Sequence, residues 1–205
     1  IPPHELSVPE IAEIIDLFVA SAKRALVAGF QAIEIHAAHG YLVHQFLSPL
    51  ANQRTDAYGG SFDNRTRLVR EIVAALRAVW PDRLPLLIRL SATDWVEGGW
   101  SADETVELCR QLKGLDVDLA DVSTAGLVPT AKIPAGPGFQ TEFAMRVRHE
   151  AGLPTAAVGL ITSAAQADHI IRSGQADMVL LGRESLRNPY WPEQAAHELS
   201  QTAAW

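Results

Sequence analysis

Amphipathic segments with a helical period alternate along this chain with short apolar runs. In the first segment, Ser7 and Glu10 are spaced as a capping box, and apolar residues follow at every third or fourth position as far as Leu26. Gly29 stands where a helix C-terminal cap is expected. The run that follows, 32–36, is short and β-branched, and it predicts a strand.

The same alternation continues to the end of the chain. Strands are predicted at 32–36, 85–90, 119–123, 155–158 and 177–181, each followed by a loop and a helix. The later helices are predicted at 68–79, from a capping box at Ser101, near 142–150, at 163–173 and after Pro192. The polar stretch 37–61 and the Gly/Pro-rich stretch 134–138 are predicted as loops.

The predicted strands are apolar without strict alternation, which is typical of strands covered on both faces in a parallel sheet. A repeated strand–helix unit closes as a barrel or spreads as a doubly wound sheet. No Gly-rich dinucleotide-binding motif follows the first strand, which favours the barrel. A (β/α)8 TIM barrel has eight strands and typically about 250 residues. We therefore predict one α/β domain over 1–205 that holds about the last five βα units of such a barrel and begins inside a longer protein.

Composition narrows the class of protein. Of the 205 residues, 48% are hydrophobic and 20% are charged, as in ordinary globular domains, and the net charge of −7 disfavours nucleic-acid binding. No apolar run approaches the roughly 18 residues of a membrane-spanning helix. The first residues do not resemble a signal peptide, so a cytoplasmic location is expected. The single cysteine, Cys109, excludes an intrachain disulfide and is expected to be a buried apolar residue.

Polar residues suited to chemistry follow the predicted strands, where barrel enzymes have their active sites. By position alone, His36 and His39 are substrate-binding residues, metal ligands or structural histidines, and no carboxylate or cysteine with ligand spacing accompanies them. Arg89 lies within an apolar strand and needs a partner, either a buried Asp or a ligand. Gly182 and Arg183 follow the last strand, where bare N–H groups beside a cation suit a phosphate.

Several segments together resemble the Old Yellow Enzyme family, in the branch often called thermophilic-like. In chain order they are Ile33–Leu42 with its His-Ala-Ala-His core, Gln45–Pro49, Asn52–Ser61, Asn64–Arg65, Ile88–Ser91, Val158–Ile161 and Leu181–Pro189. The resemblance covers nearly the whole chain. It implies a barrel that binds FMN at its mouth, takes hydride from NADPH or NADH and reduces the activated C=C bond of α,β-unsaturated carbonyl compounds.

The resemblance also implies roles for individual residues. His36 and His39, with Ala37 and Ala38 between them, are expected to bind the substrate and hold its carbonyl oxygen, and Tyr41 is expected to protonate the α-carbon. The implied cofactor-binding residues are Arg89 at the flavin ring and Gly159, Leu160, Gly182 and Arg183 at the phosphate. The loop 52–61 is expected to brace the mouth of the barrel.

Other interpretations remain open. A 2,4-dienoyl-CoA reductase-like flavoenzyme has the same barrel, although the His-Ala-Ala-His segment and the absence of a cysteine cluster disfavour it. A metal-dependent barrel hydrolase would use His36 and His39 as metal ligands, and a truncated barrel would be inactive. With roughly a third of the barrel outside this chain, we expect weak FMN binding and two exposed strand edges. The full-length parent is expected to be a homo-oligomer that acts on a small molecule, without nucleic-acid or membrane partners.

Overall fold

Within residues 4–202, five parallel strands form one sheet in the order β1-β2-β3-β4-β5. The computed structural model describes these residues; the segments 1–3 and 203–205 of the predicted domain lie outside the described residues. The strands are β1 (Ile33–Ala37), β2 (Leu86–Ser91), β3 (Leu119–Ser123), β4 (Thr155–Val158) and β5 (Met178–Leu180). Neighbours in the sequence are neighbours in the sheet, which confirms the predicted run of five βα units of a TIM barrel.

Nine α-helices lie before, between and after the strands in the described residues. They are α1 (Val8–Val27), α2 (Leu42–Leu47), α3 (Phe62–Arg65), α4 (Arg67–Arg77), α5 (Ala102–Lys113), α6 (Thr141–Arg146), α7 (Ala164–Arg172), α8 (Arg183–Arg187) and α9 (Trp191–Glu198), with a π-helical turn at Val147–Ala151. Both predicted capping boxes form, Ser7 with Glu10 and Ser101 with Glu104. Each pair satisfies backbone N–H groups that the first helical turn leaves without partners.

Three details of local structure differ from the predictions. The stretch 37–61 is not one loop, because α2 forms near its beginning and buries Val43, Phe46 and Leu47. These three residues have helical spacing, but a helix of six residues is too short to show a period in the sequence. The helix predicted near 142–150 divides into α6 and the π-helical turn, and α8 precedes the helix predicted after Pro192.

The register of the strands sorts side chains onto two faces of the sheet. His36 pairs with Arg89, and Arg89 pairs with Asp121, so these three residues lie in one row on the same face. The alternate positions, Ile35 among them, point toward the helices and are buried in the main hydrophobic core. Cys109 lies in that core, as predicted. The second face therefore carries the polar row that the site uses.

The described sheet is open at both edges, because β1 and β5 each have a strand neighbour on one side only. Beside β1 lies an apolar groove of about 600 Å³, lined by residues of α1 such as Phe18 and by Ile33 of β1. An unpaired parallel strand beside an apolar groove is the exposed edge that was expected for five strands of a barrel.

Candidate active site

The turn after β1 brings three ring-bearing side chains together. The ring centroids of His36 and His39 lie 5.3 Å apart, and those of His36 and Tyr41 lie 5.1 Å apart. His36 and Tyr41 are exposed, Tyr41 by 62%, and His39 is half-buried. The proximity that was predicted from the strand end is therefore confirmed, and the three rings form one cluster, termed here the open cluster.

The backbone of this turn depends on close packing that only glycine allows. His39 and Gly40 both have positive φ, 59° and 76°. A Cβ atom at Gly40 would meet the carbonyl oxygen of Gly126 at 2.5 Å, and one at Gly126 would meet the Cα atom of His39 at 2.3 Å. In addition, the His39 N–H donates to the hydroxyl of Ser91 at 2.9 Å. The turn is thus held against the end of β2 and against the segment after β3.

A buried polar network, termed here the brace, lies beneath the turn. Nδ1 of His44 accepts a hydrogen bond from the Gly40 N–H at 2.9 Å, and its Nε2 lies 3.1 Å from Oδ1 of Asp94. Oδ2 of Asp94 accepts from the Ser48 hydroxyl at 2.6 Å and from the Trp100 N–H at 2.8 Å. The side chains of His44 and Asp94 are fully buried. Because Nδ1 is an acceptor, the proton of neutral His44 is on Nε2, toward Asp94.

The aspartate of the brace stays ionised despite its burial. Burial raises the pKa of Asp94, but hydrogen bonds from His44, Ser48 and the Trp100 backbone outweigh this effect and leave the pKa below its usual value. A buried carboxylate with several donors is a structural anchor, and this one fixes α2 and the loop after β2 relative to each other.

Both histidines of the open cluster are mainly neutral at physiological pH. Burial lowers the pKa of His36, and the charge of the nearby Arg89 lowers it further. For His39, burial and then the charge of Arg89 lower the pKa to about 4. Each ring therefore carries one proton near pH 7 and has one hydrogen bond to donate.

Arg89 has the partner that its position in an apolar strand requires. Its Nε lies 3.1 Å from Oδ2 of Asp121, close enough for an ion pair although not aligned as a hydrogen bond. The Asp121 side chain is fully buried, whereas 30% of the Arg89 side chain is exposed on the open face of the sheet. Burial raises the pKa of Asp121 to about 7, against the opposing charge of Arg89. One side of the guanidinium thus meets a buried aspartate, and the other faces the space where a ligand would lie.

A separate cleft of about 220 Å³ lies beyond the ends of β4 and β5. It is lined by Gly159, Leu160, Gly182 and Arg183, among others. Gly159 and Leu160 have positive φ, 128° and 50°, and a Cβ atom at Gly182 would meet no atom within 4 Å. The cleft brings together all four residues that were predicted to bind a phosphate, with bare backbone beside it and two cations, Arg183 and Arg187, in its lining.

The structure therefore places the predicted site residues at one end of the sheet, toward the carboxyl ends of the strands. The open cluster lies at β1, the glycine-lined cleft lies at β4 and β5, and Arg89 lies on β2 between them. Ala37 and Ala38 are fully buried. Their contact with a substrate stays a prediction.

Two residues beside the site were not predicted. Asp121 contacts Arg89, and the hydroxyl of Ser123 lies 2.8 Å from Nε2 of His39. A sequence signal for Asp121 existed, because a carboxylate inside an apolar strand needs a cation as much as Arg89 needs an anion. Nothing comparable marks Ser123, since a serine at the end of a strand is compatible with many loops.

The loop 52–61 is held by contacts with protein groups. Nδ2 of Asn52 donates to the carbonyl oxygens of Phe46 and Tyr58, both at 2.7 Å. Arg54 pairs with Asp56 and also donates to a backbone carbonyl near the start of α1. These bonds tie the loop to α2 and to the N-terminal segment, as expected for a loop that supports the mouth of the barrel.

The described part of the chain has neither a cluster of metal-ligand side chains nor a membrane-spanning helix. Within residues 4–202, no group of three or more His, Cys, Asp or Glu side chains has the arrangement of a metal site. Among the helices of the same residues, none combines the length and the hydrophobicity needed to cross a bilayer.

Comparison with known proteins gives a family for this chain. The sequence profile of the NADH:flavin oxidoreductase / NADH oxidase family matches residues 1–202. An NADPH dehydrogenase of Geobacillus sp. (strain WCH70) is 50% identical over 200 residues, which are 98% of this chain and 58% of that protein. An NADPH dehydrogenase of Halalkalibacterium halodurans is 48% identical with the same coverage. The chain thus spans a little more than half the length of these relatives.

Solved structures of two reductases have the same fold. A 2-naphthoyl-CoA reductase in complex with 2-naphthoyl-CoA superposes with a TM-score of 0.90 at 28% identity, over 96% of this chain and 31% of that one. Morphinone reductase in complex with tetrahydroNAD superposes with a TM-score of 0.79 at 27% identity, over 98% of this chain and 52% of that one. The five βα units therefore match part of a larger chain in both cases.

Proposed function

Because the chain belongs to the NADH:flavin oxidoreductase / NADH oxidase family, the Old Yellow Enzymes, we propose that it is the catalytic part of an FMN-dependent ene-reductase. The proposed reaction is reduction of the activated C=C bond of an α,β-unsaturated carbonyl compound by NAD(P)H. Relatives named NADPH dehydrogenase support NADPH as the donor. We further expect one partial barrel domain over 1–205 and, in the longer parent, a cytoplasmic homo-oligomer.

The open cluster is the observation that carries this proposal. Two neutral imidazoles with centroids 5.3 Å apart offer two hydrogen-bond donors to a single oxygen atom. A carbonyl oxygen held by both gains negative charge as hydride reaches the β-carbon, and donors already in place stabilise that charge. Because both rings lie at the carboxyl end of β1, they are on the side of the sheet where barrel enzymes bind substrates.

The residues present fit FMN. The guanidinium of Arg89 has an exposed portion on the same face as His36, suited to the electron-rich pyrimidine edge of a flavin. Gly159, Leu160, Gly182 and Arg183 line a cleft that suits the phosphate. When bound, FMN supplies the hydride that the nicotinamide donates to it. The protein's own groups orient the substrate, polarise its carbonyl and supply a proton.

Tyr41 is the proposed proton donor. Its ring lies 5.1 Å from that of His36, and 62% of the residue is exposed, so its phenol has access to a ligand held by the histidines. Reduction of the C=C bond adds hydride to the β-carbon and requires a proton at the α-carbon. A tyrosine hydroxyl beside the bound carbonyl compound is a general acid of the right kind for that step.

The competing functions predict different behaviour. A metal-dependent hydrolase needs a third ligand beside His36 and His39, and residues 4–202 contain no such group. A CoA-ester reductase is supported by the fold similarity to 2-naphthoyl-CoA reductase, but the identity is 28%, against 48–50% for the NADPH dehydrogenases. An inactive partial barrel would have every residue of the site and no turnover, so only measurement distinguishes it.

The test is the visible absorbance of the purified protein after addition of FMN and desalting. We expect a protein-bound flavin spectrum that bleaches with NADPH under anaerobic conditions and returns with 2-cyclohexenone. His36→Ala should still bleach with NADPH but recover slowly with the enone, and His197→Ala, at an exposed position on α9, is the matched control. A flavin that bleaches but never recovers with the enone would contradict the ene-reductase proposal. A colourless protein would make this chain an inactive partial barrel.

A further inference from the structure

The ring of His39 has one protein partner among residues 4–202, and that partner determines which nitrogen carries its proton. Nε2 of His39 lies 2.8 Å from the hydroxyl of Ser123. Nδ1 makes no hydrogen bond to any residue of the described part of the chain. Nδ1 is therefore the ring nitrogen that is available to a ligand in the mouth of the barrel. The ring can donate a hydrogen bond to a carbonyl oxygen only if Nδ1 carries the ring proton.

The hydroxyl of Ser123 lies near two possible hydrogen-bond acceptors. One is Nε2 of His39 at 2.8 Å, and the other is Oε1 of Gln140 at 3.4 Å. Oε1 of Gln140 already accepts from the hydroxyl of Thr124 at 2.6 Å. The amide of Gln140 is itself fixed, because its Nε2 donates to the carbonyl oxygen of Val158 at 3.0 Å. The nearer of the two acceptors is Nε2 of His39, and Oε1 of Gln140 already has a closer donor in Thr124.

We propose that Ser123 is a positioning residue that donates to Nε2 of His39 and so keeps the ring proton of His39 on Nδ1. This inference rests on the proposed function for the use of that proton, which is to bind the substrate oxygen. Ser123 is nearly fully buried, so water does not compete for its hydroxyl. The residue ends β3, whereas His39 follows β1, so the contact joins two strands that are not neighbours in the sheet.

The tautomer matters because His39 is neutral at physiological pH. Burial and the charge of Arg89 lower its pKa to about 4, so the ring has a single proton above about pH 5. With that proton on Nε2, Nδ1 would present a lone pair to the substrate oxygen and repel it. The same shape of site would then bind a carbonyl compound poorly and would lose one of its two donors in the transition state.

The test is the ¹⁵N spectrum of the imidazole rings in the labelled protein loaded with FMN. Correlation of each ring nitrogen with the ring protons distinguishes the protonated from the unprotonated nitrogen. Among the seven histidines, the signals of His39 are assigned by their loss in His39→Gln. We expect wild-type His39 to be protonated on Nδ1 and Ser123→Ala to show a substantial Nε2-protonated population.

Turnover gives the second measurement. In Ser123→Ala, reduction of 2-cyclohexenone should slow on the order of tenfold in kcat, less than the roughly hundredfold or greater cost of deleting a whole donor. The rate of flavin bleaching by NADPH should be unchanged. Ser123→Thr keeps the hydroxyl and should restore both the tautomer and the rate. Thr124→Ala removes the neighbouring hydroxyl, which does not contact His39, and should leave the tautomer unchanged.

The outcomes of these measurements test the role of Ser123 and the proposed function separately. Protonation of wild-type His39 on Nε2 would overturn the role of Ser123, whether or not Ser123→Ala folds. A Ser123→Ala protein with a wild-type tautomer and rate would overturn it as well. An Nδ1-protonated His39 in a protein that bleaches with NADPH but never reduces the enone would support the tautomer assignment while refuting the ene-reductase proposal.

Discussion

The nine-residue stretch 36–44 supplies the three rings of the open cluster and the histidine of the brace, and the histidines of the two regions have opposite surroundings. His44 is fully buried and both of its ring nitrogens face protein groups. His36 is exposed, and His39 is half-buried with one ring nitrogen turned toward a protein hydroxyl. Residue type and proximity in the chain therefore do not separate a structural histidine from a functional one. What separates them is whether protein groups enclose the ring on all sides.

Mutations in the brace and in the open cluster should therefore have different effects. A group of the brace is buried with its partners, so its loss leaves other buried polar groups unsatisfied and costs stability. A group of the open cluster faces the mouth, so its loss costs little stability and removes an interaction with a ligand. Paired measurements of unfolding and turnover therefore test whether the two regions are as distinct as the geometry indicates.

Removal of the central carboxylate of the brace should have the largest effect. Asp94→Ala leaves the Ser48 hydroxyl, the Trp100 N–H and the ring of His44 without their acceptor in a dry site. We expect the free energy of unfolding to fall by about 3–5 kcal/mol, measured by urea denaturation. Asp168→Ala removes a carboxylate from a surface ion pair on α7 and should change the free energy of unfolding by less than about 1 kcal/mol. Equal effects of the two substitutions would remove the distinction between brace and surface.

The open cluster should show the converse pattern. We expect His36→Ala to lower the rate of 2-cyclohexenone reduction by roughly 10²–10³-fold, because one of two oxyanion donors is lost. Its free energy of unfolding should stay within about 0.5 kcal/mol of wild type, since the side chain is exposed. Stopped-flow reoxidation of the reduced flavin and urea denaturation measure the two quantities. A large loss of stability with normal turnover would assign His36 to the structure rather than to the site.

Tyr41→Phe should have a smaller effect on the same reaction. The substitution keeps the ring beside His36 and removes only the phenolic hydroxyl. If that hydroxyl protonates the α-carbon, reoxidation by the enone should slow by about a hundredfold, while bleaching by NADPH is unaffected. Tyr190→Phe, at an exposed position near the start of α9, is the matched control. An unchanged reoxidation rate would leave water as the proton source.

The smallest effect is a pH dependence of stability that comes from His39. Its pKa is about 4 in the folded chain and near 6.5 in the unfolded chain, so between these values the unfolded state binds the additional proton. Its stabilising contribution is therefore complete above pH 6.5 and is lost as the pH falls toward 4. We expect wild type to lose stability relative to His39→Gln between pH 7 and pH 4.5 in urea titrations. Parallel pH profiles for the two proteins would show that His39 titrates normally in the folded state.

Much of the fold was predictable because its determinants are local. The bounds of β3 and β4 agree with those predicted from apolar runs, and the capping boxes at Ser7 and Ser101 form as their spacing indicates. The parallel order of the strands followed from the βα alternation. The short helix α2 was missed, since six residues bury their apolar side chains without producing a period that the sequence reveals.

The site was predictable in its residue types but not in its pairings. The carboxyl ends of the strands pointed to His36, Arg89 and the glycines of β4 and β5. The sequence left two possible partners for Arg89, a buried aspartate or a ligand. The register of β2 against β3 places Asp121 beside Arg89. No local pattern joins His39 to Ser123, which are 84 positions apart in the chain.

The sequence by itself determined the kind and order of the elements, the class of the sheet and the family whose motifs the chain contains. Those properties depend on backbone hydrogen bonding and on side-chain spacing within a few residues. The tertiary structure decided which histidine is buried and which is open, which carboxylate meets Arg89 and which hydroxyl meets His39. These outcomes depend on strand register and on the exclusion of water, and both arise only when segments far apart in the chain pack together.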